Sequence, residues 1–233
     1  RGQSSLLTLS CRSSHSRPWP LQRRLQYEGA LYHLLSRGDR REDIYLDAAD
    51  RNHFLATLAD ACAKTDWQVH AYCLMRNHFH LVIETPRPNL VSGMKWLLGT
   101  YTMRFNRRHS LSGHLFAGRY KSLLIDEETP DYLRAVCDYV HLNPARAGLV
   151  SQGDSLASYP WSSYPAYLQP ARRPAWLRCD RLLGEHGLKG ASRSALREFA
   201  RRIESRRDDI GSLAVEAGIR SGWRFGAEDF LTR

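Results

Sequence analysis

Between Trp67 and Thr85 the chain reads WQVHAYCLMRNHFHLVIET, two apolar runs, Val69–Leu74 and His80–Glu84, with the short polar break Met75-Arg76-Asn77 between them. A break this short turns the second run straight back on the first, so an antiparallel hairpin is expected. Side chains alternate faces along a strand, which sets His78 and His80 on one face and Phe79 and Leu81 on the other. One face of a central strand therefore offers two imidazoles near its start. Neutral imidazole binds divalent ions well. Taken alone, the pair is read first as two ordinary histidines on a polar face.

The flanking segments decide what the hairpin can join. Gly29–Leu35 is a short apolar run ended by Ser36-Arg37-Gly38-Asp39 and reads as a first strand with its turn. Asp47 or Asp50 is placed to cap a helix over Ala48–Lys64, where Phe54, Leu55, Leu58, Ala61 and Cys62 recur at helical spacing. Beyond the hairpin, Pro86-Arg87-Pro88 breaks the chain and Asn89 is a capping candidate. A helix over Leu90–Asn106 follows, with Val91, Met94, Leu97, Leu98, Tyr101 and Phe105 on one side. Arg119–Ile125 alternates enough for a fourth strand. Thr129 as cap and Pro130 in first helical position then open a helix over Asp131–Asn143, which Pro144 is expected to end.

On that last helix Leu133, Val136, Cys137 and Val140 form the core stripe, and at about 100° per residue Tyr132, Tyr139 and Asn143 fall along one flank. In an anonymous helix Tyr139 would be a half-buried packing residue and Asn143 a C-terminal cap. The order strand, helix, strand, strand, helix, strand, helix predicts an α+β fold: a ferredoxin-like split βαβ sheet with an extra helix.

Charge narrows the partner. With 34 Lys and Arg against 24 Asp and Glu in 233 residues, mostly arginine, the chain favours an anion, and nucleic acid is the commonest such partner of a soluble protein. Hydrophobic residues make up 42% of the chain, enough for one core with a smaller appended unit, and no apolar run is long enough to span a membrane. The five cysteines are odd in number, scattered and without a Cys-x-x-Cys, so they read as reduced thiols of a cytoplasmic protein. Four regions are expected: a disordered basic arm (1–24), a catalytic domain (25–150), an irregular wrap or linker (151–174) and a helical extension (175–233). Within the extension, helices are predicted over Trp176–Leu183 and Ser192–Arg206.

Taken in order, Gly29-Ala30-Leu31-Tyr32-His33, Ser36-Arg37-Gly38, MRNHFHLVIE, GHLFAGRYKS and YVHLNPARAGLV resemble the REP-associated tyrosine transposases, which belong with the single-tyrosine HUH transposases of small bacterial insertion sequences. The likeness runs from Leu25 to Val150 and continues over Ser155–Ser163, where the family often carries a Trp-Ser-Ser-Tyr segment like the one at Trp161–Tyr164. It implies that His78, His80 and Asn143 hold a divalent ion, Mg²⁺ or Mn²⁺, with Tyr139 as nucleophile forming a 5′-phosphotyrosine. Some relatives carry Gln at the position of Asn143. The implied substrate is single-stranded DNA with a short imperfect hairpin, the REP palindrome, and the implied assembly a monomer or homodimer.

Arg37, Arg40, Arg41, Arg76, Arg104, Arg119 and Lys121 are candidates for contacting such DNA, since single strands are held through phosphates and stacked bases. Singly, each is an ordinary solvated charge. Two other readings compete: a non-catalytic nucleic-acid-binding protein on the same fold, and a metal hydrolase using His78, His80 and either His109 or His114.

Overall fold

The computed structural model describes residues 24–126 and 131–207 in full, and the backbone of residues 224–225. Its elements are β1 (Ala30–Arg37), α1 (Ala48–Thr65), β2 (Gln68–Met75), β3 (His78–Thr85), α2 (Leu90–His109), β4 (Lys121–Ile125), α3 (Tyr132–Arg146), α4 (Tyr164–Leu168), α5 (Asp180–Glu185), α6 (Arg193–Glu204) and β5 (Arg224–Phe225). The strands lie in the order β2-β3-β1-β4-β5. Pairing of β1 with β3 and β4, and of β2 with β3, is antiparallel, while the two residues of β5 run parallel to β4. The first four strands with α1 and α2 make the expected ferredoxin-like sheet.

The hairpin forms with a turn of Arg76 and Asn77 alone, so His78 opens β3, an interior strand between β2 and β1. Register sets Arg37 opposite His78 and Leu35 opposite His80. Opposed residues share a face, so the histidines lie beside the outer half of β1. On the reverse face Phe79 is fully buried, its ring 4.9 Å from Phe54 of α1 and 6.0 Å from Phe116. That face belongs to α1 and α2; α3 covers the histidine face. Phe79→Ala is expected to cost about 3–5 kcal/mol through the cavity it leaves, readable in a urea titration, without altering either neighbouring imidazole.

Local signals behave unevenly. Asp47 caps α1, its side chain accepting from the Asp50 N–H at 2.9 Å. Asn89 stands at the N-cap of α2, its carbonyl accepting from the Gly93 N–H at 2.9 Å, but its side chain makes no capping bond: Oδ1 accepts from Trp67 Nε1 and Nδ2 donates to the Thr65 carbonyl, both at 2.8 Å, tying the end of α1 to the start of α2. Thr129 and Pro130 lie outside the described residues.

Pro144 does not end α3, which runs on to Arg146. A proline this close to a helix end removes one hydrogen bond and has a φ compatible with the helix. The turn is completed by the Ala147 N–H on the Asn143 carbonyl at 3.0 Å and the Leu149 N–H on the Pro144 carbonyl at 2.8 Å.

The segment after α3 covers the free edge of β2. Leu74 N–H donates to the Trp161 carbonyl at 2.8 Å, and Ser163 N–H to the Tyr72 carbonyl at 2.9 Å. Trp176–Arg178, expected to begin a helix, instead leaves a turn at Trp176 and bridges β2 at Leu177: Val69 N–H donates to the Trp176 carbonyl at 3.3 Å and Arg178 N–H to the Val69 carbonyl at 2.8 Å. An unpaired strand edge takes these backbone groups before a helix can, and α5 starts only at Asp180. Ser192 caps α6, whose Leu196, Phe199 and Ile203 are buried, Phe199 stacking on Tyr167 at 5.2 Å. Among the described residues no helix is long and apolar enough to cross a membrane.

Candidate active site

Three elements distant in sequence meet at the open end of the histidine face. A cavity of about 390 Å³ is lined by His78 and His80 from β3, Tyr139 and Asn143 from α3, and Arg37 at the end of β1. Arg119 and Lys121, at the entry to β4, complete its cationic rim. The His78 and His80 ring centroids are 5.2 Å apart, and the Tyr139 ring is 5.8 Å from that of His80. Arg146 lies one turn beyond Asn143 on the same flank, its guanidinium 5.1 Å from the Tyr139 ring centre, within cation–π range.

Tyr139 is half-buried and Asn143 is buried, with 9% exposure. The Asn143 amide is not wholly free to reach outward, because Nδ2 donates to the Tyr139 carbonyl at 2.9 Å. That bond uses the nitrogen and leaves Oδ1 as the group able to act toward the cavity. His141, buried on another side of α3, has Nε2 2.8 Å from Ser163 Oγ and takes no part in the cavity.

Burial governs the imidazoles. It pushes His78 down to about 4, with the Arg37 guanidinium adding to the effect, and holds His80 well below the usual histidine value, helped by His33, His78 and Arg37. Burial also lowers His33 to about 4 and His141 to about 3. At neutral pH all four are uncharged, so the cavity-lining pair keeps lone pairs available.

The sign of the stability effect follows. An unfolded histidine protonates near ~6.5, so between about 6.5 and 4 the unfolded chain binds protons that the folded chain refuses, and stability falls as pH falls. A urea midpoint in EDTA is expected to be lower at pH 5 than at pH 7.5. An unchanged midpoint would mean that these rings accept protons in the folded state.

The seven basic candidates separate. Arg37, Arg119 and Lys121 line the cavity. Arg40 and Arg41 are exposed in the turn after β1, and Arg76, at the hairpin tip, pairs with Asp43 at 3.1 Å. Arg104 is bound on the opposite helix layer, to Asp60 at 3.0 Å and to Thr57 Oγ1 at 2.7 Å. His109 is likewise remote from His78, its Nε2 2.9 Å from Asp50. No group of three or more His, Cys, Asp or Glu side chains able to hold a metal occurs among the described residues. The triple-histidine hydrolase reading therefore has no assembled site there.

Sequence reading singled out neither His33, Asn77 nor Arg146 for the site. His33 Nε2 lies 2.9 Å from His80 Nδ1, and His78 Nδ1 lies 2.8 Å from Asn77 Oδ1. The period-two pattern His33, Leu35, Arg37 was the available signal, but only the β1–β3 register makes it meaningful.

Residues 26–143, just over half of the chain, match the family model "Transposase IS200 like". No curated protein matches the sequence. Among solved structures, a REP-associated tyrosine transposase bound to a REP hairpin is similar at TM-score 0.54 and 16% identity, over 68% of this chain and 91% of that one. A protein of Deinococcus radiodurans R1 assigned to the transposases matches over 46% of this chain and 88% of its own, at 20% identity and a TM-score of 0.37. The first likeness shows the shared fold, and the family match over the segment that carries β1 to Asn143 shows the lineage: the chain belongs to the IS200-like transposases.

Proposed function

We propose that this chain is a metal-dependent single-strand DNA transesterase that nicks and rejoins DNA at hairpin sequences through a 5′-phosphotyrosine on Tyr139. Family membership supplies the coarse part, DNA cleavage and strand transfer. The observation that carries the finer part is the convergence of His78, His80, Tyr139 and Asn143 on one cationic cavity.

The donor set suits a divalent ion. Two neutral imidazoles and a carboxamide oxygen make a mixed nitrogen and oxygen set compatible with Mg²⁺ or Mn²⁺. His78, His80 and Asn143 would hold the ion, and when bound it would offset the charge of a scissile phosphate. Arg37, Arg119 and Lys121 at the rim draw in and hold the DNA backbone. The Tyr139 Oη gives up its proton to water and attacks phosphorus, forming the phenol–phosphate bond as the bond to the 3′ oxygen breaks; that oxygen takes up a proton from water and leaves as a 3′-hydroxyl. Attack by another 3′-hydroxyl reverses the exchange, so one site both cuts and joins without ATP.

A hairpin substrate is favoured because the solved structure sharing this fold holds a REP hairpin. Incubation of the full chain with a hairpin-bearing single strand and Mn²⁺ is expected to give a denaturation-resistant adduct on the DNA 5′ end. Binding without adduct would instead support a non-catalytic nucleic-acid-binding protein on the same fold.

A further inference from the structure

Each cavity-lining histidine is held at Nδ1 by a residue outside the cavity. His78 Nδ1 is 2.8 Å from Asn77 Oδ1, while Asn77 Nδ2 donates to the Arg41 carbonyl at 2.9 Å. With the amide nitrogen committed to a carbonyl, Oδ1 faces the ring and can only accept. The proton therefore sits on His78 Nδ1, and a neutral ring then has its lone pair on Nε2.

The Arg41 carbonyl is itself held in place. Arg40 and Arg41 have φ of 48° and 66°, consecutive left-handed residues that are not glycine, a conformation kept only where the surroundings enforce it. The enforcing bonds are Gly38 N–H on the Asn77 carbonyl at 2.9 Å and Ile44 N–H on the Arg76 carbonyl at 3.2 Å, which clasp the turn after β1 onto the hairpin tip.

His80 has a different partner in the same role. His33 Nε2 is 2.9 Å from His80 Nδ1, with ring planes 15° apart and centroids separated by 5.1 Å. That separation is close to the nitrogen–nitrogen distance plus the two ring radii, so the rings meet edge to edge along a radial hydrogen bond rather than face to face. One nitrogen donates and the other accepts. Only His80 as donor leaves both cavity histidines with the same free atom, Nε2.

We propose that Asn77 and His33 are positioning residues that lock His78 and His80 as Nδ1–H tautomers, presenting both Nε2 lone pairs before any ligand arrives. This rests on the reading of His78 and His80 as metal ligands. Partners of this kind fix ring orientation and tautomer, and their loss weakens metal binding about 10- to 100-fold.

Long-range proton–nitrogen spectra of the full chain, ¹⁵N-labelled at histidine and kept in EDTA, read the tautomers without metal. Both site histidines are expected as Nδ1–H, with His78 losing that state in Asn77→Ala and His80 in His33→Leu. Mn²⁺ titration followed by electron paramagnetic resonance should show affinity about 10- to 100-fold weaker in each variant. His33→Gln, which restores an acceptor oxygen, should recover most of the loss, and hairpin binding in EDTA should hold within about twofold as the check on folding. An Nε2–H tautomer of His80 in the parent, or Mn²⁺ affinity within twofold of the parent in both variants, would overturn the proposal. If His78→Ala leaves Mn²⁺ binding intact, the ligand reading is what falls, and the spectra still decide whether the tautomers are locked.

Discussion

Tyr139→Phe is expected to eliminate the covalent DNA adduct and lower nicking by at least about 10³-fold, since loss of a nucleophile leaves only what binding and charge stabilisation supply. The substitution removes one oxygen and keeps the ring. The edge contacts with His33 and His80 and the seat beneath Arg146 persist, so the fold should be unaffected. The measurement is a denaturing gel of 5′-labelled and 3′-labelled hairpin substrate, with a melting curve alongside. Persistence of the adduct at parental level would move the nucleophile to another tyrosine. Tyr132 is half-buried on the same flank of α3, whereas Tyr120 is buried with 8% exposure.

His80→Ala is expected to reduce nicking on the order of 10³-fold, equivalent to the several kcal/mol of charge stabilisation that a bound ion supplies at a phosphate. His78→Ala should do the same, and the double variant little worse than either single one, because the two imidazoles serve one ion and their effects do not add. Hairpin binding in EDTA should change little in all three, since the cationic rim of Arg37, Arg119 and Lys121 remains. Rates measured across a Mn²⁺ titration provide the check. Additive losses in the double variant would separate the roles of the two rings.

Much of this protein can be read from its sequence because the signals are local. Alternation around Phe79 puts the histidines on one face and the core on the other; the break at Arg76-Asn77 forces the hairpin; and the helical repeat sets Tyr139 and Asn143 on one flank, one turn apart. Order and type of elements then follow with the ferredoxin-like sheet. Where local signals failed, a tertiary partner competed for the same atoms: Trp67 and Thr65 took the Asn89 side chain from its helix, and the β2 edge took the backbone of Trp176–Arg178.

What no periodicity could supply is which distant groups share the cavity. Arg37 and Arg104 look alike as sequence, yet one lines the cavity and the other is bound to Asp60 on the far layer. His33 looks like a strand residue until antiparallel register sets it beside His80, and Asn77 looks like a turn residue until the Arg41 carbonyl fixes its amide. Composition and spacing determined the elements and the chemistry each could offer. Strand register and the packing of α3 on the sheet decided which side chains act together, because hydrogen bonds within one pocket depend on separations of a few ångströms between residues tens of positions apart.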